Sequence, residues 1–174
     1  MEERRALEQR IRLWLVVFVV CLVLSGVTAF PLVHEVRWVD GWGLPGFVGD
    51  WISQVREGAD ATDAQYPFLF YGTDWLAFAH LVIAVAFYGV WRDAVRNIWI
   101  VEWAMIACAG IIPLAAICIP IRGLPLWWMP VDMAFGVFGV VPLLILRRMI
   151  KRLEAMPAAA TAPAEPVSGA GAPA

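Results

Sequence analysis

The sequence predicts an all-α fold, a polytopic membrane four-helix bundle with a short amphipathic helix in its first external loop. Of the 174 residues, 61% are hydrophobic, and the mean hydropathy is +0.73. This leaves too little polar surface for a soluble globule. Four apolar runs each approach the roughly 20 residues that a helix needs to cross about 30 Å of hydrocarbon. The basic residues, in addition, collect on one side of these runs.

The four predicted spans cover residues 13–33, 75–91, 98–119 and 126–146. Pro113 and Pro142 fall inside the last two, where neighbouring helices can satisfy the carbonyl groups that a proline leaves free. After Met156 the chain has no apolar residue larger than valine, so it cannot bury enough surface to fold. We therefore divide the chain into an N-terminus, a four-span domain and a disordered Ala/Pro tail, at residues 1–12, 13–155 and 156–174.

The distribution of basic residues predicts the orientation. Ten of the 13 lysines and arginines precede span one, join spans two and three, or follow span four. Basic residues of short segments favour the cytoplasmic side. We therefore expect a multi-pass protein of the bacterial inner membrane with both termini in the cytoplasm. The segment Val27-Thr28-Ala29 also has the shape of a signal-peptidase site. The apolar residues 30–33 favour a permanent span, but cleavage stays open as an alternative.

The external loop, residues 34–74, is too long for a simple connection. After the sequence GLPG, apolar residues recur at helical spacing and predict a short amphipathic helix: Phe47, Val48, Trp51, Ile52 and Val55. This helix either lies on the lipid surface or packs over the opening of the bundle. We expect Thr73 or Asp74 to cap span two.

Two ionisable residues lie deep in apolar runs. His80 follows Asp74 by six residues and Asp132 follows Leu126 by six, which places both about 9 Å from the external end of their helices. An ionisable group at this depth costs about 2.5 to 3.5 kcal/mol unless it is paired. We therefore predict that His80 and Asp132 face one another or share a water pocket, and that they form a catalytic pair for acid–base chemistry on an apolar substrate. Hydrolysis is not supported, because no nucleophile is evident beside His80.

Small residues on the same stripes predict that span two packs against span four. Gly136 and Gly139 share a face with Asp132, and Ala77 and Ala84 lie close to His80. Small residues allow two helices to approach closely. The two glycines could equally serve a homodimer.

Two further groups of polar residues lie near the predicted membrane boundaries. On the external side, His34, Glu35, Asp74 and Arg122 are candidates for the rim of a ligand pocket; the alternative is that they only anchor the helix ends at the interface. On the cytoplasmic side, Glu102 lies near Arg92 and Arg96, and we predict a structural salt bridge that joins the helix ends.

Several classes of function receive little support. A formal net charge of −2 offers no basic field for nucleic acid. The set His34, Glu35, His80 and Asp132 could in principle hold zinc, but its spacing matches no motif, and the two histidines lie at different depths for a haem. The three cysteines each lie in an apolar run, where they behave as small hydrophobes. We predict no metal and no cofactor.

Two blocks carry a resemblance to a known family: YGTDWLAFAHLVIAVAFYGVWRDAVRNIWIVEW and IPIRGLPLWWMPVDMAFGVFGVVPL. They resemble blocks of uncharacterised small bacterial four-span inner-membrane proteins, over roughly residues 67–154, and this resemblance implies no activity. A looser likeness is to four-helix sterol-isomerase-type folds, which enclose a hydrophobic ligand. The spacing of the His and acidic residues departs from that pattern, so no catalytic role is carried over.

The function we expect is that of an integral membrane protein that binds or acts on an apolar ligand through an outward-facing polar pocket. Whether it is an enzyme stays open. The alternative is a non-catalytic subunit or assembly factor of a membrane complex. The expected partners are membrane lipid, a hydrophobic small molecule, and a second copy or another membrane protein.

Overall fold

The computed structural model describes residues 2–157, and this part of the chain is all-α, as predicted. Residues 158–174, most of the predicted tail, lie outside the described residues. The helices are α1 (Glu2–Ala29), α2 (Leu32–Asp40), α3 (Gly46–Gln65), α4 (Phe68–Ala86), α5 (Tyr88–Arg92), α6 (Ile98–Ile121) and α7 (Met129–Ala155), with a 3-10 turn at Leu126–Trp128 before α7. Within residues 2–157, four helical segments are long and apolar enough to cross a membrane: α1, α4 with α5, α6, and the 3-10 turn with α7.

Both ends of the described chain lie at the same end of the bundle. Arg152, in the last turn of α7, donates a hydrogen bond of 2.6 Å to Glu3, in the first turn of α1. We call this the terminal end; the short turn between α5 and α6 lies there too. At the opposite end, the cap end, α3 lies against the 3-10 turn that precedes α7, and α2 packs on α3.

The long helices form two antiparallel pairs. The principal contacts join α1 to α4, α6 to α7, and α1 to α7, while α5 touches α6 at the terminal end. The helices therefore stand in the order α4, α1, α7, α6, and α4 is separated from α7 by α1. The predicted packing of span two against span four is wrong, because the small residues of α4 face α1 instead.

The hydrophobic core lies in the terminal half of the bundle. Its fully buried large side chains are Phe87, Leu15, Leu143, Leu146, Ile150, Val90 and Val101. Phe87 lies at the break between α4 and α5 and packs against Phe18 of α1 with 5.0 Å between ring centroids. Nearer the cap end the buried residues are mostly small, such as Gly26, Ala77 and Gly136.

The second spanning segment begins earlier than predicted. Helix α4 starts at Phe68 directly after Pro67, and proline, with its fixed φ and missing N–H, is well suited to the start of a helix. Thr73 donates its hydroxyl to the Phe70 carbonyl at 2.7 Å. Thr73 and Asp74 therefore lie inside the helix and do not cap it.

The external loop contains two helices where the sequence predicted one. The predicted amphipathic helix is α3, which extends to Gln65. Its Phe47 packs edge-on against Trp127, with ring centroids 5.1 Å apart, and Trp51 lies 6.5 Å from the same ring. Of the two alternatives for this helix, these contacts favour packing over the bundle. Helix α2 was not predicted, because its residues were divided between span one and the loop.

Candidate functional site

The imidazole of His80 lies at the crossing of α4 and α1. A Cβ added to Gly26 would come 2.8 Å from the Cβ of His80 and 2.9 Å from the carbonyl oxygen of Ala77. The Nδ1 atom of His80 lies 2.8 Å from the carbonyl oxygen of Leu76, one turn earlier in the same helix. One nitrogen of the ring thus has its hydrogen-bond partner within its own helix.

Asp132 lies at the other pair of helices. It is half-buried in the first turn of α7 and lines a groove whose opposite wall is α6. No hydrogen bond or ion pair joins it to His80 in residues 2–157. The predicted contact between the two residues is wrong, because α1 lies between their helices. The catalytic role predicted for the pair therefore loses its geometric basis.

The α6–α7 groove brings together two residues that the sequence singled out separately. It has a volume of about 400 Å³, and Arg122 lies at its edge together with Asp132. The rest of its wall is apolar and is contributed by both helices and the turn between them: Ile111, Leu114, Ala115, Cys118, Ile119, Leu124 and Phe135. A groove of this kind has an apolar interior and two charged groups at the cap end.

Helices α6 and α7, which form the groove, approach each other closely at two glycines of α7. A Cβ on Gly136 would come 2.5 Å from the carbonyl oxygen of Cys108, and one on Gly139 would come 3.0 Å from its sulfur. The two glycines therefore allow the backbones to meet, as small residues do in membrane helix pairs. The predicted close approach at this stripe is present, but the neighbour is span three.

The other predicted pocket residues do not join Arg122. Asp74 lines a separate apolar groove of about 240 Å³ with Phe30, Tyr71, Trp75 and Phe78. His34 is exposed and Glu35 half-buried in the first turn of α2. The structure thus distributes the four predicted residues among three places and does not form one rim from them.

Glu102 forms the predicted kind of contact with a different partner. Arg147 of α7 donates from its Nε to Glu102 of α6 at 2.9 Å. Arg96 instead donates its backbone N–H to Asp93 at 2.9 Å, and neither it nor Arg92 pairs with Glu102 in the described residues. The ion pair does link two helices near their terminal end, but it links α6 to α7.

A charge network that the sequence analysis missed holds α2 against α3. Asp40 accepts hydrogen bonds from Ser53 and from the Nε of Arg56, both at 2.6 Å. Asp60 accepts one from Arg37 at 2.7 Å and one from Arg56 at 3.0 Å. The four-residue spacing of Arg56 and Asp60 could have indicated half of it; the rest depends on α2, which was not predicted.

The network shifts the protonation equilibria of its members. The hydrogen bond from Ser53, followed by the Arg56 guanidinium, lowers the pKa of Asp40 below its usual value. The hydrogen bond from Arg37 likewise lowers the pKa of Asp60. The pKa of Arg56 is raised by its hydrogen bonds to Asp40 and Asp60. The network is therefore fully charged at neutral pH, since hydrogen bonds and opposite charges favour the ionised forms.

The described residues offer no cluster for a metal. Within residues 2–157, no three His, Cys, Asp or Glu side chains come together in a way that could hold an ion. The set considered from the sequence is divided between α2, α4 and α7. The chain matches no protein-family model, no curated protein and no solved structure. Inference about function therefore rests on the side chains and their geometry.

Proposed function

We propose that this protein is a multi-pass membrane protein that binds an apolar molecule with a polar head in the α6–α7 groove. The observation that carries the proposal is that Arg122 and Asp132, from different helical segments, line one groove whose remaining wall is apolar. Ligand pockets generally combine apolar walls with a few polar groups that fix the orientation of the ligand.

The two charged residues define what the head of the ligand can be. No salt bridge joins Arg122 to Asp132 or to another carboxylate in the part of the chain described here. The guanidinium can donate to a carbonyl, carboxylate or phosphate oxygen, and the carboxylate can accept from a hydroxyl. The apolar body of the ligand would lie along Leu114, Cys118 and Phe135, deeper in the groove.

Binding is a better interpretation than catalysis. Acid–base chemistry would require a second titratable group within hydrogen-bond reach of the substrate. His80, the candidate for this role, lies on α4 and bonds to the Leu76 carbonyl. A guanidinium offers several N–H donors and no acceptor, so Arg122 serves as an anchor for a ligand.

A groove-filling variant tests the proposal. Leu114 and Ile117 are both exposed residues of α6, at 60% and 58%, but only Leu114 lines the groove. Small molecules that copurify with the full chain in mild detergent are extracted and identified by mass spectrometry. We expect Leu114→Trp and Arg122→Gln to lose a specific apolar compound that Ile117→Trp retains. If the same compounds accompany all the variants, the groove is not the binding site.

A second candidate function is that of a membrane-complex subunit or assembly factor. Helices α2 and α3 and the connection between them form what we call the cap. It presents two exposed tryptophans, Trp38 and Trp42, at 67% and 56%, with ring centroids 4.8 Å apart. Tryptophan is enriched where proteins bind each other. We expect a partner protein that crosslinks to the wild-type cap to be lost from Trp38→Ala/Trp42→Ala, whereas the groove variants keep it. If the Trp38→Ala/Trp42→Ala variant keeps the partner protein, the cap does not have this role.

We also propose that both termini lie in the cytoplasm. The excess of arginine at the terminal end supports cytoplasmic termini in a bacterial inner membrane. Fusions test it: a fluorescent protein that matures only in the cytoplasm is placed after the last residue, and a periplasmic phosphatase is inserted in the α2–α3 connection at Gly43. We expect both reporters to be active. If both reporters are inactive, the orientation is the opposite of the one proposed.

A further inference from the structure

A second, polar cavity lies at the terminal end of the bundle, far from the α6–α7 groove. It has a volume of about 300 Å³ and lies between the start of α1, helix α5 with the turn that follows it, and the end of α7. Three arginines line it, together with two carboxylates and a tryptophan: Arg4, Arg12, Arg92, Glu8, Asp93 and Trp91. None of these residues lines the α6–α7 groove.

The cavity contains guanidinium groups with donors to spare. Arg4 is neutralised by Glu8 at 3.2 Å, and Asp93 accepts the backbone N–H of Arg96. Arg12 and Arg92 have no carboxylate within 4.0 Å among residues 2–157. Arg12 instead lies over the Trp91 ring, with its central carbon 5.3 Å from the ring centroid. A cation–π contact is not a conventional hydrogen bond, so Arg12 keeps N–H donors for a ligand.

The walls of the cavity are held in place without a ligand. The side chain of Asn97 donates to the carbonyl oxygens of Gly89 and Asp93, both at 2.9 Å, and so fixes the turn between α5 and α6. The cavity floor is formed by core residues, with Ile11 exposed by 3% and Val90 by 1%. The backbone that carries Arg92 is therefore fixed before an anion binds, so that the side chains are the main part left to be ordered.

We propose that this cavity binds the phosphate group of an anionic membrane lipid. Phosphate is the anion that guanidinium groups recognise with paired N–H donors. Trp91, an aromatic residue at the end of an apolar span, marks the level of the lipid head groups. The apolar side chains Ile11, Val95 and Leu153 at the cavity wall suit the glycerol and first acyl carbons. Basic pockets between spanning helices on the cytoplasmic side are known to take anionic head groups.

The site is independent of the α6–α7 groove, because it lies at the opposite end of the molecule and shares no residue with it. The cavity would recognise its ligand by negative charge, whereas the groove would recognise its ligand mainly by an apolar body. A failure of one proposal would thus leave the other standing.

Native mass spectrometry of the full chain in detergent tests the site. Phosphatidylglycerol is added at increasing concentration, and phosphatidylcholine, which has a phosphate but no net charge, is the reference lipid. We expect the double variant Arg12→Gln/Arg92→Gln to bind phosphatidylglycerol at least about tenfold more weakly than the wild type, since hydrogen bonds to charged groups are the strong ones. Binding of phosphatidylcholine should change little.

Matched variants separate the site from the general basic character of the terminal end. Arg148→Gln removes one exposed arginine from the same end of α7 without touching the cavity, and we expect it to keep full binding. Arg92→Lys keeps the charge but loses the planar donor pair, so an intermediate affinity is expected. Equal losses in Arg148→Gln and Arg92→Gln would overturn the proposal, as would unchanged binding in the double variant.

Inorganic phosphate distinguishes a lipid from a free anion. At constant ionic strength, we expect millimolar phosphate neither to displace phosphatidylglycerol nor to raise the melting temperature of the wild type. If phosphate does both, and if the double variant loses both effects, the cavity is a site for the free anion and the lipid assignment is overturned.

Discussion

Gly26 of α1 and His80 of α4 meet where the two helices cross, so closely that a methyl group on the glycine would lie 2.8 Å from the Cβ of the histidine. Ala77, which is fully buried, completes the contact. The histidine therefore lies where backbone packing is tight, and its ring nitrogen bonds within the helix to Leu76. An imidazole in an apolar helix is in this way compatible with the membrane without a carboxylate on a neighbouring helix.

This contact predicts that Gly26→Ala destabilises the protein. Overpacking a tight contact costs about 1 to 3 kcal/mol. The added Cβ would also meet a backbone atom, the Ala77 carbonyl oxygen at 2.9 Å, so we expect a cost above the roughly 1 kcal/mol that alanine gains over glycine in a helix. We expect a lower melting temperature in detergent. The control is Gly110→Ala in α6, where an added Cβ meets nothing within 4 Å; its melting temperature should stay the same or rise. Equal behaviour of the two variants would contradict the crossing.

The Asp40–Arg56–Asp60 network predicts that the α2–α3 hairpin loosens in acid. Both aspartates have lowered pKa values in the folded protein, whereas an unfolded aspartate titrates near about 3.9. Their stabilisation is therefore complete above that pH and is lost as the pH falls through the lowered values. Hydrogen exchange of α3 amides should be constant from neutral pH to about pH 5, after correction for intrinsic rates, and should then show falling protection at lower pH.

Substitutions separate this network from other carboxylates. Asp40→Asn should weaken the protection of α3 already at neutral pH and remove part of the acid dependence. Asp50→Asn changes an exposed carboxylate of α3 that makes no hydrogen bond or ion pair in the described residues, and this variant should behave like the wild type. A wild-type acid profile in Asp40→Asn would show that the network does not hold the hairpin.

The Glu102–Arg147 pair predicts a small coupling energy between α6 and α7. Both side chains are about two-fifths exposed, and pairs of this kind contribute up to about 1 kcal/mol. A double-mutant cycle with Glu102→Gln and Arg147→Gln, read by unfolding in detergent, should give a coupling in this range. The same cycle with Arg96→Gln should give none; a coupling to Arg96 instead would support the pairing expected from the sequence.

The contact between Phe47 and Trp127 predicts that Phe47→Ala frees α3 from the bundle. An edge-on aromatic pair contributes about 0.5 to 1.5 kcal/mol beyond the area that it buries. Limited proteolysis should cut α3 faster in this variant while the spanning helices keep their melting temperature. Phe138→Ala, which removes an exposed ring of α7 without an aromatic contact to α3, should leave the cleavage rate unchanged.

Composition was sufficient to predict the helical class and the number of long apolar helices, because hydropathy over 20 residues depends only on the chain itself. The small-residue stripes were also meaningful: Gly136 and Ala77 both lie at close helix contacts. What one sequence could not supply is which helix faces which. Ala77 could pack against α7 as well as against α1, and helical periodicity does not indicate which helix is the partner.

The same limit explains the candidate site. Depth along a helix is readable from residue counts, and it placed His80 and Asp132 at similar distances from the cap end. Their separation around the bundle depends on the order α4, α1, α7, α6, which arises from contacts far apart in the chain. Arg122 was assigned to a pocket with three residues that lie elsewhere, while its actual neighbour in the groove, Asp132, was assigned to a different role.

The large buried side chains, such as Phe87 and Ile150, are concentrated in the terminal half of the bundle. We therefore expect the two halves to differ in stiffness. The half that contains these side chains resists deformation, whereas the half near Arg122 is joined mainly through small residues and the aromatic contacts of the cap. We expect this half to adjust more easily by small helix tilts, because fewer large side chains interlock there. For the proposed function we therefore expect the α6–α7 groove to accept apolar ligands of different widths without a change in the rest of the fold.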